Sequence, residues 1–250
     1  MEQYITIDGN RGYGIKCKQW VNLDMPKEVI IACHGFAGDK ESSAISMLAS
    51  ELLKNDVYIV SFDLPGHGES DVDGDSLTIE NCLEDFKSVI DYVKRKYGNV
   101  KIGIFATSFG GYLSLLLNDI DVSLSHVILR CPAIKMDKIF INEILGEDIE
   151  EFKKSGYTVV GYERELKVNY SFYEELKNTQ ILEIYINTFS NILMIHGDKD
   201  TTAPIEDTIV FSNKFSIPLK IIEGADHRFK KPGELEKVVD NTISFINEDK

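Results

Sequence analysis

A serine, two aspartates and a histidine are placed along this chain as the parts of a proton relay. Ser108 lies in Val100 to Gly111, which reads VKIGIFATSFGG. The run Ile102-Gly103-Ile104-Phe105 has the length and composition of a strand buried on both faces. The chain then turns sharply through Ala106-Thr107-Ser108-Phe109-Gly110-Gly111, and Tyr112 to Leu117 can continue as an apolar helix. Strand, tight turn with a central serine, helix is the geometry of a nucleophile elbow. Small residues two before and two after the serine, Ala106 and Gly110, let the two backbones pass closely. Ser108 also opens the helix, so the Phe109 N–H is free to donate to a developing negative charge. A serine hydroxyl is a weak nucleophile until a base takes its proton. That base is usually a histidine held in one tautomer by a carboxylate. Asp198 and Asp200, in His196-Gly197-Asp198-Lys199-Asp200, follow a buried strand and are both candidates for the acid. His227, in Ile222-Glu223-Gly224-Ala225-Asp226-His227-Arg228-Phe229, follows the last expected strand and is the candidate base.

Other chemistries find less support. The five histidines (His34, His67, His126, His196, His227) show no H-x-x-x-H or H-E-x-x-H spacing. Cys17, Cys33, Cys82 and Cys131 form no C-x-x-C pair and no metal-ligand pattern, and three of them sit in apolar runs where a small buried hydrophobe is expected. Neither a P-loop nor a G-x-G-x-x-G after a strand is present. The net charge of −14 argues against nucleic acid and anionic membrane surfaces as partners. No apolar run approaches the length of a membrane-spanning helix, and the start Met1-Glu2-Gln3-Tyr4 does not read as a signal peptide. The expectation is a reduced, cytoplasmic protein.

The elements that must position these groups alternate along the chain. Tyr4 to Ile7 and Tyr13 to Trp20 alternate in polarity around Asp8 to Gly12, which predicts an edge hairpin. Val29 to Cys33 and Val57 to Phe62 read as buried strands. Ser42 to Leu53 and Thr78 to Tyr97 read as helices, the second with Leu83, Phe86, Ile90 and Val93 on one face. His126 to Arg130 is a further strand. After Cys131-Pro132-Ala133 the rhythm breaks, and from about Lys135 to Phe189 the chain is charged, aromatic and irregular. A structureless loop of that length is improbable, so a small inserted subdomain is expected, with a hairpin of Tyr157–Val160 and Arg164–Val168 around Gly161. Helices are expected at Tyr170–Leu176 and Ile181–Phe189. The regular pattern resumes with strand Ile192–Ile195, helix Ile205–Phe215, strand Leu219–Ile222 and helix Glu234–Ile246. Alternating strands and helices predict an α/β fold with a mostly parallel sheet and right-handed crossovers, its chemistry gathered at the carboxyl ends of the strands.

The motifs together resemble the α/β-hydrolase superfamily, and the resemblance covers nearly the whole chain. It rests on the Ser108 elbow, on His34-Gly35-Phe36-Ala37-Gly38, on Asp63-Leu64-Pro65-Gly66-His67-Gly68-Glu69-Ser70, on the H-G-x-x-D loop at 196–200 and on Gly224-Ala225-Asp226-His227-x-Phe229. One departure is Ala106, where G-x-S-x-G has its first glycine. The resemblance implies the order Ser108, Asp200, His227 as catalytic triad, with Asp198 the alternative acid bracing its turn. It implies an oxyanion hole from the backbone N–H groups of Phe36 and Phe109. The 63–70 loop and His67 are then structural. It implies a hydrolase core at 1–134 and 190–250, a cap at 135–189, and neither cofactor nor metal. The H-G-F-A-G and I-E-G-A-D-H-x-F loops and the cap length are most similar to bacterial cinnamoyl and feruloyl esterases. The implied activity is that of a serine carboxylesterase working through an acyl-enzyme on a small-molecule ester, with hydroxycinnamoyl esters foremost. Tyrosines in the 135–189 segment, among them Tyr157, Tyr162, Tyr170, Tyr173 and Tyr185, suit such an acyl group, although most of its aromatics form its own small core. Acylglycerol lipases, thioesterases and serine-aminopeptidase-like hydrolases share the resemblance. A hydrolase-fold protein that binds without turnover is the reading that Ala106 alone favours, and a homodimer is left open.

Overall fold

The computed structural model describes residues 1–117, 123–146, 148–161, 165–187 and 189–248. The first two strands, β1 (Glu2–Asp8) and β2 (Gly14–Trp20), form an antiparallel hairpin. Then follow β3 (Glu28–Cys33), α1 (Ser43–Leu52), β4 (Val57–Phe62), α2 (Ile79–Tyr97), β5 (Lys101–Thr107), α3 (Phe109–Leu115) and β6 (Leu124–Arg130). The irregular stretch holds α4 (Met136–Ile139), a turn of π-helix at Phe140–Ile144, α5 (Ile149–Ser155), the hairpin of β7 (Tyr157–Val160) and β8 (Leu166–Asn169), α6 (Tyr170–Asn178) and α7 (Ile181–Ile184). The chain closes with β9 (Ile192–Gly197), α8 (Ile205–Phe215), β10 (Leu219–Ile222) and α9 (Glu234–Glu248).

One sheet of eight strands runs β1-β2-β4-β3-β5-β6-β9-β10. Its β1/β2 and β2/β4 pairs are antiparallel and the remaining pairs parallel. Successive side chains of a strand face opposite layers. Val29, Ile31 and Cys33 accordingly join the core under α2 and α3, and Ile30 and Ala32 join the core under α1 and α9. Burial on both faces explains why these strands are continuously apolar in sequence. The parallel strands end on one rim, and the loops following Cys33, Phe62, Thr107, Arg130, Gly197 and Ile222 all start there. His126 belongs to the other end, where its Nδ1 lies 2.8 Å from Glu28 Oε1. Among the described residues no helix is long and apolar enough to cross a membrane.

The 135–189 segment is fastened to the core by polar contacts. Asp75 receives Lys167 at 2.8 Å and Asn169 at 3.0 Å. A carboxylate oxygen of Glu175 accepts the Ile79 N–H at 2.7 Å, at the start of α2, beside the Thr78 cap. The Tyr112 hydroxyl donates to the Thr179 carbonyl at 3.1 Å. At Gly74 any side chain would collide with β8, since a Cβ would sit 1.7 Å from the Lys167 carbonyl oxygen. Two expectations here need correction or restriction. The helix expected over Ile181–Phe189 ends at Ile184, because Tyr185 turns extended and packs its ring against Phe211 and Phe215 at 5.1 and 4.9 Å. Tyr162 and Arg164 lie outside the described residues, and β8 is described from Leu166.

One buried acid gives the fold a pH dependence. Asp85 of α2 is 1% exposed and accepts the Tyr13 hydroxyl on both oxygens at 3.0 Å. Burial pushes its carboxyl up to about 7, and the Tyr13 bond offsets only part of that. A carboxyl raised in the folded state contributes stability that is full below its unfolded pKa of about 3.9 and is lost as pH rises through the folded value. Asp85→Asn keeps an acceptor for Tyr13 and cannot ionise. It is expected to raise Tm over the native protein at pH 8, with the gap closing toward pH 5. Thermal denaturation at the two pH values checks this, and an equal Tm difference at both contradicts it.

Candidate active site

Ser108 stands between β5 and α3 with φ 52° and ψ −111°. A non-glycine residue holds that backbone only when its surroundings over-determine it. Here the Ser108 N–H donates to the Arg130 carbonyl at 2.9 Å, and its own carbonyl accepts the Tyr112 and Ala133 N–H groups at 3.0 and 3.1 Å. Gly110 is needed where the elbow meets the β3 loop, since a Cβ there would lie 2.6 Å from both the Cys33 and His34 carbonyl oxygens. Ala106 is completely buried, and its methyl is accommodated in the core beneath the sheet face.

The acid and histidine loops are pressed together at Gly197, where a Cβ would lie 2.3 Å from the Ala225 carbonyl oxygen, and Lys199 N–H donates to that same oxygen at 2.9 Å. This apposition brings His227 Nδ1 to 2.6 Å from Asp200 Oδ2. Asp200 Oδ1 accepts the Thr202 and Ala203 N–H groups at 2.9 and 2.8 Å. Burial of this carboxyl would push its pKa up, but hydrogen bonds from His196 and His227 and the Ala203 N–H outweigh it and hold the pKa well below the usual carboxylate range. An ionised carboxylate only accepts, so Nδ1 of His227 carries the proton and Nε2 is left as the basic nitrogen. The ring remains 17% exposed while the Asp200 side chain is fully covered. Asp198 is directed elsewhere: its Oδ1 accepts the Gly224 N–H at 2.5 Å and its Oδ2 pairs with Lys199 at 3.1 Å.

The loop after β3 passes close to the serine, with a Cβ on Gly35 falling 3.3 Å from Ser108 Cβ. Buried His34 shapes it, with Nδ1 2.8 Å from the Gly35 carbonyl and Nε2 accepting the Leu64 N–H at 3.1 Å. Desolvation lowers the His34 pKa and keeps the ring neutral for this double role. The Phe36 ring packs edge-on against Phe109 and Phe140 at 5.7 and 5.9 Å and stacks on Phe172 at 6.2 Å. Phe109 is the first residue of α3, so position in the helix leaves its N–H without an intrahelical acceptor. In the 63–70 loop the Asp63 carboxylate takes the Lys40 N–H and the Glu69 N–H, both at 2.8 Å, and the Lys40 ammonium at 2.9 Å. Gly68 is forced there, as a Cβ would come 2.2 Å from Asp63 Oδ1. His67 packs beside Phe36 and His34.

Three further side chains, Arg130, His196 and Cys131, border the site. Buried Arg130 donates from Nε to the Thr107 hydroxyl at 3.2 Å, and its guanidinium lies 5.3 Å from the centre of the Phe229 ring. It thereby joins the residue before Ser108 to the one two beyond His227, and an arginine ending an apolar strand was the available hint. His196 Nε2 lies 3.0 Å from Asp200 Oδ2. Cys131, at φ 44°, completes a buried group in which one donor atom each of Cys131, His196 and Asp200 lies within 4.8 Å of the others. Sequence spacing could not show this group. Nε2 of its histidine and both oxygens of its carboxylate are committed to hydrogen bonds, and burial pushes the thiol well above its usual range. A separate cavity of about 650 Å³ is lined by Tyr4, Lys40, His67, Glu69 and Leu166 among others; Ser108, Asp200 and His227 are not part of its wall.

Strand order, the strained serine after β5 and the acid–imidazole pair carried by the loops after β9 and β10 are the layout of an α/β-hydrolase-fold serine hydrolase. The serine aminopeptidase S33 family matches residues 24–165, more than half of the chain, and the chain belongs to that family. The matched part contains Ser108 and ends before Asp200 and His227. The structure of Est1E from Butyrivibrio proteoclasticus with bound ferulic acid superposes with TM-score 0.79 at 25% identity, covering 98% of each chain. A hydrolase structure from Agrobacterium vitis S4 gives TM-score 0.78 at 20% identity over 99% of each chain, a likeness of fold. An uncharacterised 31.7 kDa protein of Escherichia coli, from the traX-finO intergenic region, is 33% identical over 85 residues. That segment is 33% of this chain and 29% of the relative.

Proposed function

We propose that this chain is a serine carboxylic-ester hydrolase with Ser108 as nucleophile, His227 as base and Asp200 as acid. The observation that carries the reading is the 2.6 Å contact of a buried, ionised Asp200 with His227 Nδ1, on the rim where Ser108 is held at positive φ. Ser108 Oγ attacks the ester carbonyl carbon while its proton passes to His227 Nε2. The Phe36 and Phe109 N–H groups receive the carbonyl oxygen as it becomes an oxyanion. The carbon–oxygen bond to the alcohol then breaks, His227 returns the proton to the departing oxygen, and the acyl group remains on Ser108. Water, deprotonated by His227, attacks the acyl-enzyme. The acid leaves and the serine is restored.

The 135–189 segment serves as a cap over this centre. Aromatic rings from the oxyanion loop, the elbow and the segment cluster together: Phe109 and Phe140 each lie edge-on to both Phe36 and Phe172, and Phe36 stacks on Phe172, an environment suited to a flat acyl group. The ferulic acid in the Est1E structure supports a hydroxycinnamoyl ester as the substrate class. Comparison of kcat/KM for ethyl ferulate, a monoacylglycerol and an aminoacyl amide tests it. Ethyl ferulate is expected to be the best of the three. Its being the poorest removes the hydroxycinnamoyl assignment, and preference for the amide assigns an aminopeptidase-like activity in its place.

A further inference from the structure

Asp200 Oδ2 is met by two imidazoles. His227 Nδ1 lies at 2.6 Å and His196 Nε2 at 3.0 Å. His196 is wholly buried, and the same Nε2 lies 2.9 Å from the Ala203 carbonyl oxygen. A carbonyl and an ionised carboxylate can only accept, so the Nε2 of His196 carries the proton and shares it between them. The other nitrogen, Nδ1, is buried with no hydrogen-bond partner among the described residues. An unpartnered buried acceptor is costly, and a leucine of similar bulk would avoid the penalty. A requirement at Nε2 explains why a histidine is there.

We propose that His196 is a positioning residue for the acid of the triad, holding Asp200 Oδ2 through Nε2–H and sharing that oxygen with His227. The inference rests on the Ser108–His227–Asp200 reading. Its consequences are specific. The backbone N–H groups of Thr202 and Ala203 fix Oδ1, and His196 fixes Oδ2, so the carboxylate plane is held before substrate arrives. The bond to Ala203 ties the loop after β9 to the same ring. The negative charge on Oδ2 is divided between two donors, so His227 receives only part of it. Other charged or titratable groups around the pair are Arg130 and Cys131 at the end of β6, and Asp226 and Arg228 on either side of His227. All four are retained in every variant at 196, and the Cys131 thiol, which also faces Asp200, is the one that borders the altered position.

Removing the His196 donor leaves a larger share of the Oδ2 charge to His227, which stabilises the imidazolium. The base then stays protonated to higher pH, and the acid limb of the kcat/KM profile moves upward. The test is the profile for p-nitrophenyl butyrate between about pH 5 and 9, using the full chain in four forms: native, His196→Leu, His196→Gln and Ser108→Ala. His196→Leu is expected to shift the acid limb up by about half a pH unit. Its plateau should fall about tenfold, less than the 10² to 10⁴ that a general base itself contributes. The glutamine amide can place an N–H where Nε2 stood, so His196→Gln returns both limb and plateau toward the native values. An unmoved limb in folded His196→Leu, or a glutamine variant no different from leucine, overturns the proposal. If the leucine variant does not fold, His196→Asn takes its place, because its shorter amide cannot reach Asp200. Hydrolysis surviving in Ser108→Ala overturns the triad reading and this proposal together. A Ser108-dependent rate with an unmoved limb overturns this proposal alone.

Discussion

Ser108→Ala is expected to lower kcat for p-nitrophenyl butyrate by about 10⁶-fold, the scale on which a triad nucleophile acts, while leaving the circular dichroism spectrum unchanged. The reason is chemical: no other hydroxyl replaces the one at the elbow, and the oxyanion donors alone supply only the residual rate. A second substitution separates nucleophile from backbone. Ser108 sits at φ 52° and ψ −111°, a conformation open to glycine and strained for a residue with a Cβ. Ser108→Gly should be as inactive as the alanine variant. It should also be more stable than the alanine variant by roughly 1 kcal/mol, a Tm gain of about 2–4 °C for a chain of this size. Assays and thermal melts of the two variants measure both effects. Native-level turnover in either, or a glycine variant less stable than alanine, contradicts this account of the elbow.

Asp200→Asn is expected to be the next most damaging change, with a loss of about 10⁴ in kcat. Asp200 accepts four donors: Thr202 and Ala203 N–H on Oδ1, His196 and His227 on Oδ2. Asparagine offers one oxygen and one NH₂. If the NH₂ faces the backbone, two N–H groups meet a donor. If it faces the imidazoles, His227 must turn its lone pair to Nδ1 and its proton to Nε2, which disables the base. Either arrangement leaves buried donors unmet, at about 1–3 kcal/mol each. The pH dependence has a definite sign. A carboxyl whose folded pKa is depressed contributes stability above its unfolded pKa, about 3.9, and loses it as pH falls through the folded value. Since Asp200 is held well below that range, the part of the native protein's stability advantage over Asp200→Asn that this carboxylate supplies should shrink as pH falls below about 4. Denaturant melts at pH 5 and pH 3 check this, and an advantage that grows between those two values contradicts it.

The framework of the molecule was legible because the central parallel strands are buried on both faces and the long helices on one. Val29–Cys33 and Ile192–Ile195 are uninterrupted apolar runs, Val57–Phe62 is broken only by Ser61, and Thr78–Tyr97 carries its apolar stripe at helical spacing. The Ser108 turn and the loops carrying Asp200 and His227 were legible because small residues punctuate them, and Gly110 and Gly197 indeed stand where a Cβ would strike neighbouring atoms. The 181–189 stretch misled for an equally physical reason. Its apolar spacing suits a helix, but Tyr185 finds a better site between Phe211 and Phe215 of α8 and pulls the chain straight. His196 was legible only as the first residue of the acid's loop and Arg130 only as the polar end of an apolar strand; neither could be read as bonding a site residue. Their partners, Asp200 with Ala203 and Thr107 with Phe229, are fixed only when the loops close over the rim.

The central claim is that the hydroxyl of residue 108 is made nucleophilic by the His227–Asp200 pair and reacts at a carbonyl-like centre. Its most direct measurement is the mass of the intact, folded chain after exposure to a fluorophosphonate, with the adduct located by peptide mapping. A single phosphonyl group on Ser108, absent from Ser108→Ala and formed far more slowly in His227→Ala, is the predicted result. A folded native chain that stays unlabelled, or one labelled elsewhere with Ser108 untouched, contradicts it.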